Sequence, residues 1–152
     1  MSSQFRDESK TADGWNQMLT VNRLAGFWVA NLIVAGLMGF IPNPMVGPGS
    51  VFEANVAHNL FHIASGLVLL VAMGLGPNWA VRFMLSFGPL YAFLGVVGFA
   101  VTHHHGDGHL LGIVHINVAD NLLHILLGTL IAVSGWIAAK RLPAPVAVVP
   151  IH

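Results

Sequence analysis

The sequence predicts an all-α membrane protein whose four transmembrane helices form two tandem hairpins. Only 8% of the 152 residues are charged, whereas a water-soluble domain carries about 25%. Four apolar stretches are long enough to cross about 30 Å of hydrocarbon, which takes roughly 20 helical residues. A short sequence segment of polar and apolar residues occurs twice, and this repeat predicts how the helices are paired. The formal net charge is zero, so we expect the lipid bilayer as a partner and no nucleic acid.

The four predicted spans are separated by residues that end helices. The spans cover about residues 23–41, 57–75, 83–102 and 117–139. Pro42 follows the first span, Gly76 the second and Lys140 the fourth, as expected at helix ends. Pro89 lies inside the third span, where we expect it either to kink the helix or to mark its true start.

Two segments flank the four-helix domain of residues 23–139. Residues 1–22 are polar, and their second half is interpreted either as an interfacial helix that turns Trp15 towards lipid or as a disordered leader. Residues 140–152 form an apolar tail with three prolines, which cannot be a helix. We expect this tail to dock against a partner or along the membrane face.

The basic residues predict the orientation of the spans. With four spans, all six Lys and Arg residues fall on one side of the membrane, and the loops at about 42–56 and 103–116 contain none. Cytoplasmic loops carry an excess of Lys and Arg, so both termini are predicted to be cytoplasmic. The six residues are Arg6, Lys10, Arg23, Arg82, Lys140 and Arg141.

The segment "NVAHNLFHIASG" recurs later in the chain as "NVADNLLHILLG", which indicates an internal repeat. Eight of the 13 positions of Ala54–Gly66 are identical in Ile116–Gly128, 62 residues later. The first and third spans align weakly at the same offset, for example Gly36 with Gly98. Each copy holds two spans, so the copies are expected to share one orientation, related by a pseudo-two-fold axis along the membrane normal. The two repeats cover about residues 23–76 and 83–139.

Each repeat places a set of polar residues at the predicted outer end of a span. The sets are Asn55, His58, Asn59 and His62 in the first copy and Asn117, Asp120, Asn121 and His124 in the second. The first Asn of each set is a predicted N-cap. Positions four apart share a helix face, so one copy presents a His–His pair and the other an Asp–His pair. Polar groups at membrane depth should face the bundle interior, where the two pairs could meet.

Three interpretations of these side chains are open. The first, which we favour, is a hydrogen-bonded network of these polar residues, including the four asparagines, that joins the hairpins without a cofactor. The second is a divalent-metal site made of His58, His62, Asp120 and His124, a chemically complete ligand set. The third is axial ligation of haem or of a chlorophyll-type pigment by His62 or His124.

The loop "THHHGDGHLLGIVH" carries a further cluster of histidines. They are His103, His104, His105, His109 and His115. The cluster is interpreted as a divalent-cation sink on the outer surface or as a flexible, solvated glycine-rich turn, which we favour. The chain contains no Cys, which excludes disulfides and thiolate metal sites. The sequence also lacks a Ser-centred elbow, a phosphate loop and paired carboxylates, so we expect no enzyme.

Four segments of the chain are similar to a known family. "VNRLAGFWVANLIVAGLMGFIPN", "HNLFHIASGLVLLVAMG", "FGPLYAFLGVVGFAV" and "INVADNLLHILLGTLIAVSGW" follow one another over about residues 21–139. In this order they resemble a bacterial four-helix integral membrane family, domain of unknown function 4383. The resemblance implies the four-span fold and a place in the bacterial inner membrane, and it implies no activity. The "HHHGDGH" insertion and the Pro-rich tail are not parts of that pattern.

These observations lead to two functional hypotheses. The first is a non-enzymatic accessory or scaffolding subunit of a larger bacterial membrane complex, of the respiratory or photosynthetic kind. Its glycine-lined faces and two tails would contact other integral membrane subunits, because small residues allow helices to approach closely. The alternative is a metal-, haem- or (bacterio)chlorophyll-binding membrane protein that uses the intramembrane histidines.

Overall fold

The computed structural model describes residues 4–102 and 106–142, with side chains from Gly14 onwards. The helices are α1 (Gln4–Met38), α2 (Val56–Leu75), α3 (Pro77–Val101) and α4 (Val118–Ala139), and the strands are β1 (Asp107–Leu110) and β2 (Val114–Asn117). Gly14–Met38 of α1 and the whole of α2, α3 and α4 are long and apolar enough to cross a membrane. The prediction of four spans is therefore confirmed. The apolar tail at 143–152, for which docking was expected, lies outside the described residues.

Two of the helices begin earlier than the sequence predicts. α1 already begins at Gln4, so residues 10–22 continue directly into the first span and belong to the same helix. α3 begins at Pro77 rather than at 83, because proline at the first position of a helix loses no hydrogen bond. As a consequence Pro89 lies well inside α3 and does not mark its start.

A β-hairpin between α3 and α4 is the element that the sequence analysis missed. β1 and β2 pair antiparallel, with His109 opposite His115. One face of the hairpin is apolar and packs against α3, as expected where alternate residues of a strand point to the same side. Its buried residues are Leu110, Val114 and Ile116. Over residues 107–117, two paired strands thus replace the glycine-rich turn that we favoured.

The helices pack as two hairpins, α1 with α2 and α3 with α4, and glycines set the contact distance. A Cβ atom added to Gly36 would lie 2.5 Å from the carbonyl oxygen of Asn59, and one added to Gly95 would lie 2.6 Å from that of Asn121. The glycines therefore let the backbones of paired helices touch, as van der Waals packing in lipid requires. These glycines serve contacts inside the chain, and the expected contacts of glycine-lined faces with other subunits stay a prediction.

The glycine contacts also set the register between α1 and α3. Gly36 and Gly95 meet residues that are 62 apart, although the two glycines themselves are 59 apart. Gly39 and Gly98 are also 59 apart. A Cβ added to Gly39 would collide with the side chain of Asn59, and one added to Gly98 would collide with that of Asn121. The contacts align α1 with α3 at an offset of 59, instead of the predicted 62 that matched Gly36 with Gly98.

The two hairpins meet in a buried core on the side of the bundle away from β1 and β2. Its fully buried side chains include Leu69 of α2, Met84 of α3 and Ile131 of α4. Trp28 of α1 donates its indole N–H to the Oγ atom of Ser134 at 2.9 Å. This bond satisfies both polar groups inside an otherwise apolar core.

Candidate metal site between the two hairpins

Both predicted N-caps form hydrogen bonds with the first turn of their helix. The Oδ1 atom of Asn55 accepts from the N–H of His58 at 3.0 Å, and that of Asn117 accepts from the N–H of Asp120 at 2.9 Å. The Oδ2 atom of Asp120 in turn accepts from the N–H of Asn117 at 3.0 Å, which completes a capping box. The caps fix the position from which the side chains of the first turns enter the bundle.

The same two asparagines also connect the halves of the molecule. Asn55 donates its amide N–H to the carbonyl of Ile113 at 2.8 Å, and Asn117 donates to the carbonyl of Val51 at 3.0 Å. Val51 and Ile113 are 62 residues apart, as are the two donors. Each asparagine therefore caps its own helix through its side-chain oxygen and bonds a loop of the other half through its side-chain nitrogen.

His58 is buried where the two halves meet. Its Nδ1 atom lies 2.9 Å from the carbonyl oxygen of His115 and 3.3 Å from that of Glu53. Because a carbonyl can only accept, Nδ1 must carry the hydrogen, and the Nε2 atom of the neutral ring keeps a free lone pair. The fold thus presents this lone pair to the interior of the bundle.

His62 and His124 bring two further imidazoles to the Nε2 atom of His58. One ring nitrogen from each of the three residues lies within 4.8 Å of those of the other two. The Nε2 atoms of His58 and His62 are 3.1 Å apart, and the rings of His58 and His124 have centroids 5.4 Å apart. We call these three residues the histidine trio. His124 is only 8% exposed, yet its ring has no hydrogen-bond partner among the described residues.

Tyr91 of α3 completes the site, and the sequence analysis missed it. Its hydroxyl group lies 3.2 Å from the Nε2 atom of His62, and its ring packs edge-on against His124 with centroids 4.6 Å apart. A buried tyrosine hydroxyl normally finds a hydrogen-bond partner. Tyr91 is the single tyrosine of the chain, and its place within an apolar span was the signal that could have identified it.

Asp120 lies beside the histidine trio but serves another purpose. The residue is buried, and its carboxylate belongs to the capping box of α4. Within the described residues, the group of converging ligand atoms holds the three histidines without Asp120. We expected Asp120 to pair with His124. Instead the carboxylate caps α4 and His124 meets the other two histidines, because the cap holds the carboxylate against the backbone N–H of Asn117.

The inner asparagines, Asn59 and Asn121, pack beneath the glycines of the neighbouring helix. Asn59 contacts Gly39 and Asn121 contacts Gly98. Asn121 donates to the hydroxyl group of Thr102 at 3.2 Å, while its Oδ1 atom is buried without a partner. These two residues therefore hold the helices of each hairpin together.

The two described histidines of the loop cluster, His109 and His115, form a separate contact on the hairpin. His115 bridges two carboxylates, with Nδ1 3.3 Å from Glu53 and Nε2 3.3 Å from Asp107. The ring of His109 stacks on that of His115 with centroids 4.6 Å apart. The remaining members of the predicted cation sink, His103, His104 and His105, lie outside the described residues.

Two cavities adjoin the histidine trio. The larger has a volume of about 250 Å³ and lies between α2, α3 and the hairpin. The smaller has a volume of about 60 Å³ and lies towards α1 and the loop before α2. All three histidines line both cavities. Apart from them, the walls of the larger cavity are apolar except at Tyr91 and Ser65.

The comparisons with known proteins concern the family alone. Residues 22–137 match the family described as Domain of unknown function (DUF4383). No curated protein and no solved structure matches the chain. The match covers most of each apolar span and the whole of the site, and its description carries no activity.

Proposed function

We propose that this chain, which belongs to the DUF4383 family, is a membrane protein that binds a transition-metal ion through His58, His62 and His124. The observation that carries the proposal is the convergence of three imidazole nitrogens within 4.8 Å of one another. Imidazole suits Zn, Cu, Fe and Ni. Three protein ligands leave one position of a tetrahedral ion open, and the larger cavity lies beside the trio.

The spacing of the nitrogens supports this proposal. Metal–nitrogen distances of about 2.0–2.1 Å place two ligands of a tetrahedral ion roughly 3.3 Å apart. The Nε2 atoms of His58 and His62 are already 3.1 Å apart. The remaining separations are up to 4.8 Å, so binding of an ion would require these ring nitrogens to approach one another by up to about 1.5 Å.

The surroundings of the trio also resemble those of known metal ligands. Metal-binding histidines usually donate their second ring N–H to a carbonyl or carboxylate, which fixes the tautomer. His58 makes this contact through Nδ1 with the carbonyl of His115 at 2.9 Å. His124 supplies a buried ring without a hydrogen-bond partner among the described residues, which a purely structural network does not explain. The network interpretation accounts for His58, His62 and Tyr91 and for the bonds of Asn55 and Asn117, and it leaves His124 unexplained.

The size of the larger cavity favours a bare ion over a tetrapyrrole. Its volume is about 250 Å³, whereas pockets for drug-sized molecules measure about 300–1,000 Å³. Haem and chlorophyll are larger than most of these molecules. A tetrapyrrole bound by His62 or His124 would therefore extend out of this cavity past its exposed rim, whereas an ion fits among the three rings.

Metal content is the direct test of the proposal. The protein would be extracted gently from its own membrane, without a polyhistidine tag, and measured by native mass spectrometry and elemental analysis. In all samples, residues 103–105 would be replaced by Asn, because a run of three histidines could bind metal by itself. We expect one ion per chain, retained in His109→Leu and lost when His62 and His124 are both replaced by Leu. A metal-free native protein, or a content unchanged in the double variant, would contradict the proposal.

The same mass spectra test the subunit hypothesis. That hypothesis stays a prediction: the glycines already serve contacts inside the chain, and the tail lies outside the described residues. Defined partner masses would support an accessory subunit, whereas a lone 16.2 kDa chain would contradict it. The expectation that the protein is not an enzyme likewise stays a prediction.

We further propose that the two hairpins are tandem repeats related by a pseudo-two-fold axis along the membrane normal. Two pairs of equivalent contacts support this arrangement: the crossed hydrogen bonds of Asn55 and Asn117 and the glycine contacts with Asn59 and Asn121. The distribution of Lys and Arg supports cytoplasmic termini in a bacterial inner membrane. In this orientation the histidine trio lies near the outer face.

A further inference from the structure

We infer that the larger cavity binds a membrane-dissolved phenol, a molecule with one hydroxylated aromatic ring whose oxygen faces the histidine trio. This inference deepens the proposed function and rests on it only for contact between the oxygen and a bound ion. The cavity and the hydrogen-bonding groups at its end exist without an ion. Four features carry the inference: volume, wall chemistry, the polar end and the direction of the opening.

The volume of the cavity fits a single ring with small substituents. Its volume of about 250 Å³ exceeds the roughly 150 Å³ of an apolar cavity that accommodates benzene. Phe61, Phe87 and Tyr91 provide aromatic walls, against which a ring packs in stacked or edge-on geometry. A long-chain lipid would fill the cavity with only a small part of its length.

The polar groups of the cavity are concentrated in the histidine trio and the adjacent Tyr91. Ser65 also lines the wall, but its hydroxyl group donates to the carbonyl of Phe61 in its own helix at 2.8 Å. His124 is nine-tenths buried and offers a ring nitrogen without a described partner. Few polar groups in an otherwise apolar cavity fix the orientation of a ligand. A molecule with one hydroxyl group at the edge of a ring matches this pattern.

The rim of the cavity is apolar and exposed, which indicates that the ligand enters from the bilayer. Phe61 of α2 is 53% exposed and Leu90 of α3 is 52% exposed, and both lie in membrane-spanning helices. At the turn of the hairpin, Leu111 is 80% exposed. Its φ of 54° is unusual for a residue other than glycine, so an apolar side chain is held at the rim despite backbone strain. A rim of this kind contacts lipid rather than water.

The test uses the full chain in lipid nanodiscs and 4-fluorophenol as the probe, observed by ¹⁹F NMR. Empty nanodiscs give the signal of the probe dissolved in lipid. We expect an additional bound signal with the protein. Fluorobenzene, which lacks the hydroxyl group, is expected to bind about two- to tenfold more weakly, because it loses one hydrogen bond.

Two variants localise the bound signal. Ser65→Phe adds a ring at the wall of the cavity and is expected to abolish binding. Ser86→Phe makes the same chemical change on an exposed face of α3, outside this cavity, and is expected to leave binding unchanged. Equal helix content of the two variants by circular dichroism excludes misfolding as the cause of a difference.

Measurements on metal-loaded and chelator-treated protein separate this inference from the metal proposal. If no metal can be loaded but the phenol binds in a way that depends on Ser65, the inference stands through a hydrogen bond to the trio, and the metal proposal fails. If metal loads but the bound signal is absent, or persists in Ser65→Phe, the inference is overturned and the metal proposal remains. Equal affinity for fluorobenzene would also overturn it.

Discussion

At the scale of single residues, positions that correspond in the two copies have similar surroundings, but some of them have different roles. Corresponding residues of α2 and α4 are 62 positions apart, and the glycines of α1 and α3 that contact them are 59 apart. Position 58 of the first copy is a histidine that contacts backbone carbonyls and other histidines. The corresponding Asp120 caps its own helix. The exchange leaves three imidazoles rather than four at the centre, with a carboxylate beside them. Beneath them, Gly39 and Gly98 make room for the asparagine of the partner helix in the same way.

A substitution at Gly98 tests the close packing. In Gly98→Ala the new methyl group would collide with the side chain of Asn121, which is held by its bond to Thr102. Because overpacking typically costs about 1–3 kcal/mol, we expect the midpoint of thermal unfolding in detergent to fall. Gly74→Ala is the control, since nothing lies within 4 Å of its added Cβ and alanine favours a helix. A Gly98→Ala variant as stable as the control would refute the contact.

At the scale of elements, short polar connections hold the two helical hairpins together at the end that carries the β-hairpin. The N-cap residues of α2 and α4 each bond to a loop of the other half, and β1 and β2 cover the C-terminal part of α3. His115, on β2, adds contacts to Glu53 in the loop before α2. The histidine trio lies directly below these connections, so they determine how closely its rings approach.

Two substitutions of Asn117 separate capping from cross-linking. Asn117→Ser keeps a side-chain oxygen that can cap α4 but removes the amide that donates to Val51. We expect it to lose about 0.5–1.5 kcal/mol of unfolding free energy. Asn117→Ala loses the cap as well and is expected to cost about 1 kcal/mol more. Chemical unfolding in detergent would measure both, and equal stability of the Ser variant and the wild type would show that the bond to Val51 contributes nothing.

At the scale of the whole molecule, the four helices place an apolar surface towards lipid and their polar groups towards one another. The Trp28–Ser134 hydrogen bond and its apolar surroundings join the halves on one side of the site, and the trio with the crossed asparagine bonds joins them on the other. This arrangement is what helices in lipid require, because exposed polar groups at membrane depth are costly.

The orientation of this molecule in the membrane can be tested directly because the chain has no native cysteine. We expect a membrane-impermeant maleimide, added to intact cells, to label His109→Cys on the hairpin and not Lys140→Cys after α4. The reason is the excess of basic residues expected on the cytoplasmic side. Labelling of both after the cells are broken controls for accessibility. Labelling of Lys140→Cys alone in intact cells would reverse the proposed topology.

The sequence by itself determined the four spans, both N-caps and the set of polar residues from which the site is built. These are local properties: a run of about 20 apolar residues crosses a bilayer, and a cap is formed within one helical turn. The starts of α1 and α3 were placed too late, because polar and proline-containing first turns do not interrupt a helix that continues into an apolar span.

Only the tertiary structure decided the register of 59 between α1 and α3, the hairpin, the place of Tyr91 and the choice of three histidines without Asp120. Each depends on distances between elements that are far apart in the chain, and glycine contacts set those distances. The second copy has three more residues between Gly98 and Asn117 than the first has between Gly39 and Asn55. Composition and periodicity indicate which residues face the interior of the bundle. Which of these residues contact one another depends on how closely the helix backbones approach.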